Sequence, residues 1–371
     1  MGNQLVCFQR KPKRSASTRS AAGHDRWGKG RAPSRKDDMK QELLQQQALA
    51  YVLSQQQNGH LSFERSSSQR HTGPAPKQGL PRSASARPRS SQDPVLQPVQ
   101  LINQDAKLAD LETNHFVLVH GGGFGAWCWY KTIALLEEAG FKTTAIDLTG
   151  SGIDSTDPNK ITSLAQYVKP LTEFFEKLGN DEKVILVGHD FGGACISYAM
   201  EDFPLKIAKA VFVSAAMVTN GQRAFDIFSQ EVLEQDTLLH RAQKFKYANG
   251  SASPPTAIEF DKELLRDVLF NHSPAKDIAL ASVSMRPVPF APVLEKLSLT
   301  DKNYGSVRRF FIETSDDQAI TGAIQENLIK SNPPEQVFRV KGSDHSPFFS
   351  KPQALHKLFL EIAQLGPKKG S

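Results

Sequence analysis

The sequence contains little cysteine and no long apolar run. Its only cysteines are Cys7, Cys128 and Cys195, too few for the disulfide framework of a small secreted domain. No stretch of about twenty apolar residues occurs, so we predict no transmembrane helix. The sequence shows no internal repeat. Cysteine and histidine do not cluster at metal-ligand spacings, so we expect no metal site.

Charge divides the chain into two unlike parts. Residues 1–110 carry 18 Lys and Arg against 8 Asp and Glu, a net charge of +10, whereas the other 261 residues have a net charge of −4. The basic balance of the whole chain thus comes from its N-terminal part. Because no basic module interleaved with aromatic residues occurs, we do not expect the folded part to bind nucleic acid.

The most informative pattern is an apolar strand that leads into a glycine turn. The run Val184–Val187 is followed by Gly188-His189-Asp190-Phe191-Gly192 and then by the helical stretch Ala194–Met200. Strand, sharp turn and helix are predicted, with the side chain at position 190 exposed at the top of a sheet. This is the nucleophile elbow of an α/β-hydrolase, with an aspartate in place of the esterase serine.

A second glycine loop follows the predicted strand Phe116–Val119, where the sequence reads His120-Gly-Gly-Gly123. In hydrolases with this elbow, such a loop supplies one backbone N–H of the oxyanion hole, and the residue after the nucleophile supplies the other. Gly122 and Phe191 are the candidates. No Gly-Lys-Ser/Thr follows the loop, so a phosphate-binding role is disfavoured and we expect no cofactor.

The remaining members of a catalytic triad are expected in chain order, acid before histidine. A predicted strand ending at Glu313 leads into a loop with Asp316 and Asp317, and a later strand ending at Val340 leads into a turn with His345. His345 is the expected base. One of the two aspartates should orient it, and the other should be a solvated loop residue.

Several blocks together resemble the plant methylesterase family, and within it the branch with long N-terminal extensions named as chloroplastic. These blocks are His120–Lys131, Asp147–Gly152, Lys183–His189, Ala279–Ser282 with Arg286-Pro287, and Lys341–His345. The resemblance covers about two thirds of the chain, from His115 to Ala363. It implies an α/β-hydrolase fold with a mostly parallel sheet and a helical cap, and hydrolysis of methyl esters of small acids such as methyl indole-acetate, methyl jasmonate or methyl salicylate.

Carried over by position, the resemblance places the family's serine on Asp190 and its histidine on His345. The oxyanion donors fall on Gly122 and Phe191, and the family's spacing favours Asp317 as the acid. A carboxylate that attacks an ester carbonyl forms an anhydride and is itself the better leaving group, so ordinary acyl-enzyme turnover is disfavoured. Its charge also favours the imidazolium form of the histidine, which weakens the base.

Other uses of the aspartate stay open. Gly188–Gly192 resembles the elbow of epoxide hydrolases, whose aspartate attacks an sp³ carbon, but Gly123 replaces their proline and Tyr247 is the only tyrosine between Ala216 and Lys302. A hydrolase homologue that only binds its ligand is another reading. In a further reading, Asp190 acts as general base for direct attack by water.

Three segments are expected: a basic targeting segment at 1–36, a low-complexity and largely disordered linker at 37–110, and the hydrolase domain at 111–371. A cap inserted at about 219–300 should cover a pocket for a small-molecule ester or other ligand. A homodimer is possible.

Localisation has two readings. Segment 1–36 contains 10 Lys and Arg and a single acid, which is the bias of a transit peptide and predicts a chloroplast location. The alternative is a plasma-membrane protein, lipidated at Gly2 and Cys7.

Overall fold

The computed structural model describes residues 111–227 and 237–366. The predicted targeting segment 1–36 and the linker 37–110 lie outside the described residues. Within the described ranges, no helix is both long enough and apolar enough to cross a membrane.

Nine strands are described. They are β1 His115–Val119, β2 Lys142–Ile146, β3 Val184–Asp190, β4 Ile207–Ala215, β5 Gln243–Lys246, β6 Ala257–Phe260, β7 Val288–Pro289, β8 Arg309–Thr314 and β9 Gln336–Val340. Six of them form the central sheet in the order β2-β1-β3-β4-β8-β9, and every neighbouring pair is parallel. The predicted parallel sheet is therefore confirmed.

The helices of the described residues pack on both sides of the central sheet and in the segment between β4 and β8. They are α1 Tyr130–Glu138, α2 Leu164–Tyr167, α3 Lys169–Lys177, α4 Gly192–Asp202, α5 Leu238–Ala242, α6 Leu265–Leu269, α7 Ala275–Ser284, α8 Phe290–Leu294, α9 Gly322–Ser331, α10 Pro347–Ser350 and α11 Pro352–Gln364. Every residue of β1 and β4 is buried, as expected for strands covered on both faces.

The strand order brings the loops that follow β1 and β3 together at the carboxyl ends of the strands. The chain runs from β1 to β2 on one side and then returns to place β3 on the other side of β1. Val119 at the end of β1 pairs with Gly188 near the end of β3. Ligands of open parallel sheets bind at such a reversal, beyond the carboxyl ends of the strands.

We refer to residues 219–227 and 237–300, which lie between β4 and β8, as the cap. The cap contains α5 to α8, as the resemblance implies, and also a three-stranded antiparallel sheet of β5, β6 and β7 that we did not predict. Gln243–Lys246 alternates between half-buried and exposed residues with two lysines, so it has no strong apolar signal. Its strand structure depends on pairing with β6, which is separated by ten residues in the chain.

Candidate active site

The elbow holds Asp190 in a conformation that few side chains adopt. Its φ is +50°, in the left-handed region, and its side chain is 15% exposed at the end of β3. A Cβ on Gly188 would lie 2.7 Å from the carbonyl oxygen of Gly192, and a Cβ on Gly192 would lie 2.5 Å from that of His120. Both positions therefore require glycine, and β3 turns directly into α4 with Asp190 at the tip.

Of the two amides predicted to bind an oxyanion, that of Gly122 donates to the Asp190 carboxylate. Its N–H lies 2.8 Å from Oδ2, and the nearby N–H of Phe191 stabilises the charged form of the carboxylate electrostatically. The other carboxylate oxygen, Oδ1, lies 4.0 Å from Nε2 of His345, beyond hydrogen-bond distance. The side chain thus occupies the position that an ester carbonyl oxygen takes in a hydrolase with serine at the elbow.

His345 is held from its other side by Asp317. Nδ1 of His345 lies 2.9 Å and 3.2 Å from the two carboxylate oxygens, and both residues are buried. Asp317 also accepts hydrogen bonds from four further donors, namely the hydroxyls of Ser214 and Thr314 and the backbone N–H groups of Ala319 and Ile320. Burial would raise the pKa of Asp317, but the charge of His345 and these donors hold it below its usual value.

Asp316 and Asp317 point in different directions. Asp316 is 43% exposed and pairs with the His272 imidazole of the cap at 3.0 Å, whereas Asp317 is turned inward to His345. The structure therefore brings Asp317, and not Asp316, together with His345. The residue pattern by itself leaves this choice between two adjacent carboxylates open, and the resemblance to the family favours Asp317.

The electrostatics of the site favour a charged imidazole. Burial acts to lower the pKa of His345, but the charge and hydrogen bond of Asp317, with added charge from Asp190 and Asp344, raise it to about 9. Burial also raises the pKa of Asp190, although His345 and the two amides oppose that shift. At neutral pH His345 is consequently an imidazolium, which cannot accept a proton from a nucleophile.

Two site residues had no clear signal in the sequence. Ser214 lies within the buried strand β4, has a φ of +39°, and donates from Oγ to Asp317 at 2.5 Å. His120 donates from Nδ1 to the Gly121 carbonyl oxygen at 2.8 Å and accepts the N–H of Leu148 at Nε2, so its side chain fixes the loop that carries Gly122. Both act through contacts between distant chain segments, which periodicity does not show.

In residues 111–227 and 237–366, no group of three or more His, Cys, Asp or Glu side chains is arranged to hold a metal ion. The Asp190 carboxylate instead accepts the Gly122 amide, and the Asp317 carboxylate pairs with the His345 imidazole.

Comparison with known proteins identifies the family. Residues 116–358 match the model of the alpha/beta hydrolase family. The chain is 63% identical to the protein named "Putative methylesterase 11, chloroplastic" of Arabidopsis thaliana, over 95% of this chain and 93% of that relative. It is 40% identical to methyl jasmonate esterase 1 of Vitis vinifera, over 67% of this chain and 97% of the relative.

A solved structure supports the same assignment. The crystal structure of the methylesterase protein MES16 from Arabidopsis matches with a TM-score of 0.60 and 35% identity, covering 67% of this chain and 98% of that chain. The match extends over nearly all of the solved protein, so fold and sequence agree. The chain belongs to the alpha/beta hydrolase family, and within that family to the plant methylesterases.

Proposed function

We propose that this protein hydrolyses methyl esters of small carboxylic acids, such as methyl indole-acetate, methyl jasmonate or methyl salicylate, at a rate that Asp190 keeps low. The observation that carries the proposal is the buried pair of His345 and Asp317, joined at 2.9 Å beside the elbow. In this proposal His345, Asp317 and Asp190 are the catalytic groups, and the amides of Gly122 and Phe191 bind the oxyanion. The name of the grape relative, a methyl jasmonate esterase, supports the substrate class.

Three features support a low rate. The Asp190 carboxylate cannot form a lasting acyl-enzyme, because the anhydride step reverses. Its Oδ2 already accepts the Gly122 N–H at 2.8 Å, so an ester carbonyl must displace it. The pKa of His345, raised to about 9, leaves only a small fraction of neutral imidazole at neutral pH.

Turnover can proceed by direct attack of water. Asp190 takes a proton from a water molecule whose oxygen adds to the ester carbonyl, and the His345 imidazolium gives its proton to the departing methoxide. Burial raises the pKa of Asp190, which makes its carboxylate a stronger base than an exposed one. The products are the free acid and methanol, and a final proton transfer from Asp190 to His345 restores both groups.

The test is release of free acid from the three methyl esters by the full-length protein, next to His345→Ala. We expect slow release in the native protein and a loss of about 10²-fold or more in the variant, the usual size of a general acid–base contribution. Release that is equally slow in both proteins would contradict the proposal. Tight ligand binding without release would support a hydrolase homologue that only binds its ligand.

A second function is favoured by the orientation of the carboxylate. With Oδ2 on the Gly122 amide, Oδ1 lies 4.0 Å from Nε2 of His345, beyond hydrogen-bond distance, and can attack an sp³ carbon. For an epoxide, Oδ1 forms a bond to the ring carbon, the ring C–O bond breaks, and the alkoxide takes the proton of His345. The neutral imidazole then deprotonates a water molecule that cleaves the aspartyl ester and releases a diol.

Mass spectrometry separates this second function from ester hydrolysis. After incubation of His345→Gln with an aromatic epoxide such as styrene oxide, water protonates the alkoxide in place of His345. We then expect the peptide that contains Asp190 to gain the mass of the epoxide, because no base remains to hydrolyse the ester. Asp190→Asn in the same background should gain none. An unmodified peptide in His345→Gln, with no diol formed by the native protein, would exclude the second function.

We also propose that the protein acts in the chloroplast. The basic bias of residues 1–36 supports this location, as does the name of the Arabidopsis relative that is 63% identical. Acyl labelling of Gly2 and Cys7, with recovery of the protein in the plasma-membrane fraction, would instead support the lipid-anchored alternative.

A further inference from the structure

The loops that carry Asp317 and His345 form one hydrogen-bonded unit. These loops follow β8 and β9, which are neighbours at one edge of the sheet. The N–H of Asp316 donates to the Ser343 carbonyl oxygen at 2.9 Å, and the N–H of Gly342 donates to Ser315 Oγ at 2.8 Å. A displacement of either loop is therefore shared by both.

The cap contacts this unit through the short segment Asn271–Ser273, between α6 and α7. The side-chain amide of Asn271 donates to the Asp316 carbonyl oxygen at 3.0 Å, and the His272 imidazole pairs with the Asp316 carboxylate. The backbone N–H of His272 and the hydroxyl of Ser273 both donate to Asp344 Oδ2, at 2.9 Å and 2.8 Å. These contacts fall on the immediate chain neighbours of Asp317 and His345.

Asp344 depends on the cap for most of its hydrogen bonds. Its side chain is buried, and its third donor is the N–H of Ser346, at 3.0 Å from Oδ1. A buried carboxylate that loses two of three donors is strongly destabilised and must reorient. Because His345 follows directly in the chain, a reoriented Asp344 displaces the imidazole as well.

We propose that Asp344 is a positioning residue: the contact of the cap segment Asn271–Ser273 with Asp344 fixes the orientation of the His345 imidazole. When Asn271–Ser273 is in place, Asp344 is held by three donors and His345 Nδ1 stays on Asp317. When the cap segment moves away, Asp344 loses the two donors on Oδ2, and His345 Nδ1 is no longer held on Asp317. The inference concerns the same site as the proposed function, but its test does not require turnover.

The test is an NMR titration of the His345 imidazole in the full-length protein. The groups that face this imidazole are the carboxylates of Asp317, Asp190 and Asp344 and the ring of His189, whose centroid lies 4.6 Å away. For Asp344→Asn we expect the His345 pKa to fall by roughly one unit from its value of about 9. For Ser273→Ala we expect a smaller fall and about tenfold faster exchange of the Nδ1 proton, as one hydrogen bond to a charged group is lost.

Ser282→Ala is the matched control. Ser282 lies on α7 of the same cap, and its hydroxyl donates to Ala279 within that helix, away from Asp344. It should leave the His345 titration and proton exchange unchanged. If Ser273→Ala lowers the melting temperature but moves neither the titration nor the exchange, Asp344 has only a structural role and the proposal is wrong. Ser273→Ala distinguishes a positioning role of Asp344 from a purely structural one even if Asp344→Asn does not fold.

Discussion

Replacement of Asp190 by serine is expected to raise the hydrolysis of small methyl esters by about 10²- to 10³-fold over the native protein, the range associated with one oxyanion donor. The first reason is the Gly122 N–H, which in the native protein donates to Asp190 Oδ2 at 2.8 Å. A serine side chain has no second oxygen to reach that amide. The amide then becomes available to the ester carbonyl oxygen as negative charge develops on it.

The second reason lies in His345. The negative charge of Asp190 is one of the causes that raise the His345 pKa to about 9, so the removal of this charge lowers the pKa and increases the fraction of neutral imidazole near pH 7. A neutral imidazole can deprotonate a serine hydroxyl at the elbow. The tetrahedral intermediate then expels methoxide and leaves an acyl-enzyme that water hydrolyses, whereas the anhydride that an aspartate forms collapses back to the ester.

The measurement is kcat/KM for methyl indole-acetate, methyl jasmonate and methyl salicylate in the native protein, Asp190→Ser and Asp190→Ala. Asp190→Ala is the matched control, because alanine leaves the Gly122 N–H without its carboxylate partner and supplies no nucleophile. It should therefore not reproduce the gain in hydrolysis. An equal gain in both variants would mean that water, rather than serine, attacks in the variant. Fast native hydrolysis with no gain in Asp190→Ser would contradict our account of the aspartate.

The sequence predicts those parts of the site that depend on local patterns. The apolar run Val184–Val187 before a glycine turn, and Phe116–Val119 before His120, are sufficient to place β3, α4 and the first loop, because buried parallel strands are nearly continuous apolar runs. The predicted strand ending at Glu313 appears as β8, which extends to Thr314. The ends of the predicted elements thus shift by up to three residues, as at the end of β3, while their order is retained.

The parts that could not be predicted depend on contacts between distant segments. The carboxylate of Asp190 accepts the Gly122 N–H from the loop after β1, so the occupied amide is visible only in three dimensions. Ser214 has no signal in the apolar strand β4, although it donates to Asp317 across 103 positions of the chain. The antiparallel sheet of the cap was missed because its short strands have weak periodicity and acquire their structure from pairing.

A final result is expected from Asp317→Asn in the Asp190→Ser background: a loss of ester hydrolysis of about 10³- to 10⁴-fold, comparable to the loss of the orienting acid in a serine triad. All five of the groups that face the Asp317 carboxylate donate hydrogen bonds, with the two backbone amides on Oδ1 and the two hydroxyls on Oδ2. An asparagine must direct its own N–H₂ group at one of these sets of donors. His345 then loses the charge that holds its Nδ1 proton, so the imidazole turns away or changes tautomer.

Asp316→Asn in the same background is the matched control, since it makes the same chemical change one residue away. Asp316 is half-exposed, and among the described ion pairs its only partner is the partly exposed His272, at 3.0 Å. We therefore expect the rate of hydrolysis to change by less than about threefold. The two variants also differ in stability. Unpaired donors around a buried asparagine at 317 should lower the free energy of unfolding by about 1–3 kcal/mol, whereas the exposed change at 316 should alter it by less than about 1 kcal/mol. Equal losses of hydrolysis in the two variants would show that charge in this loop, rather than the hydrogen bond from His345 to Asp317, supports the chemistry.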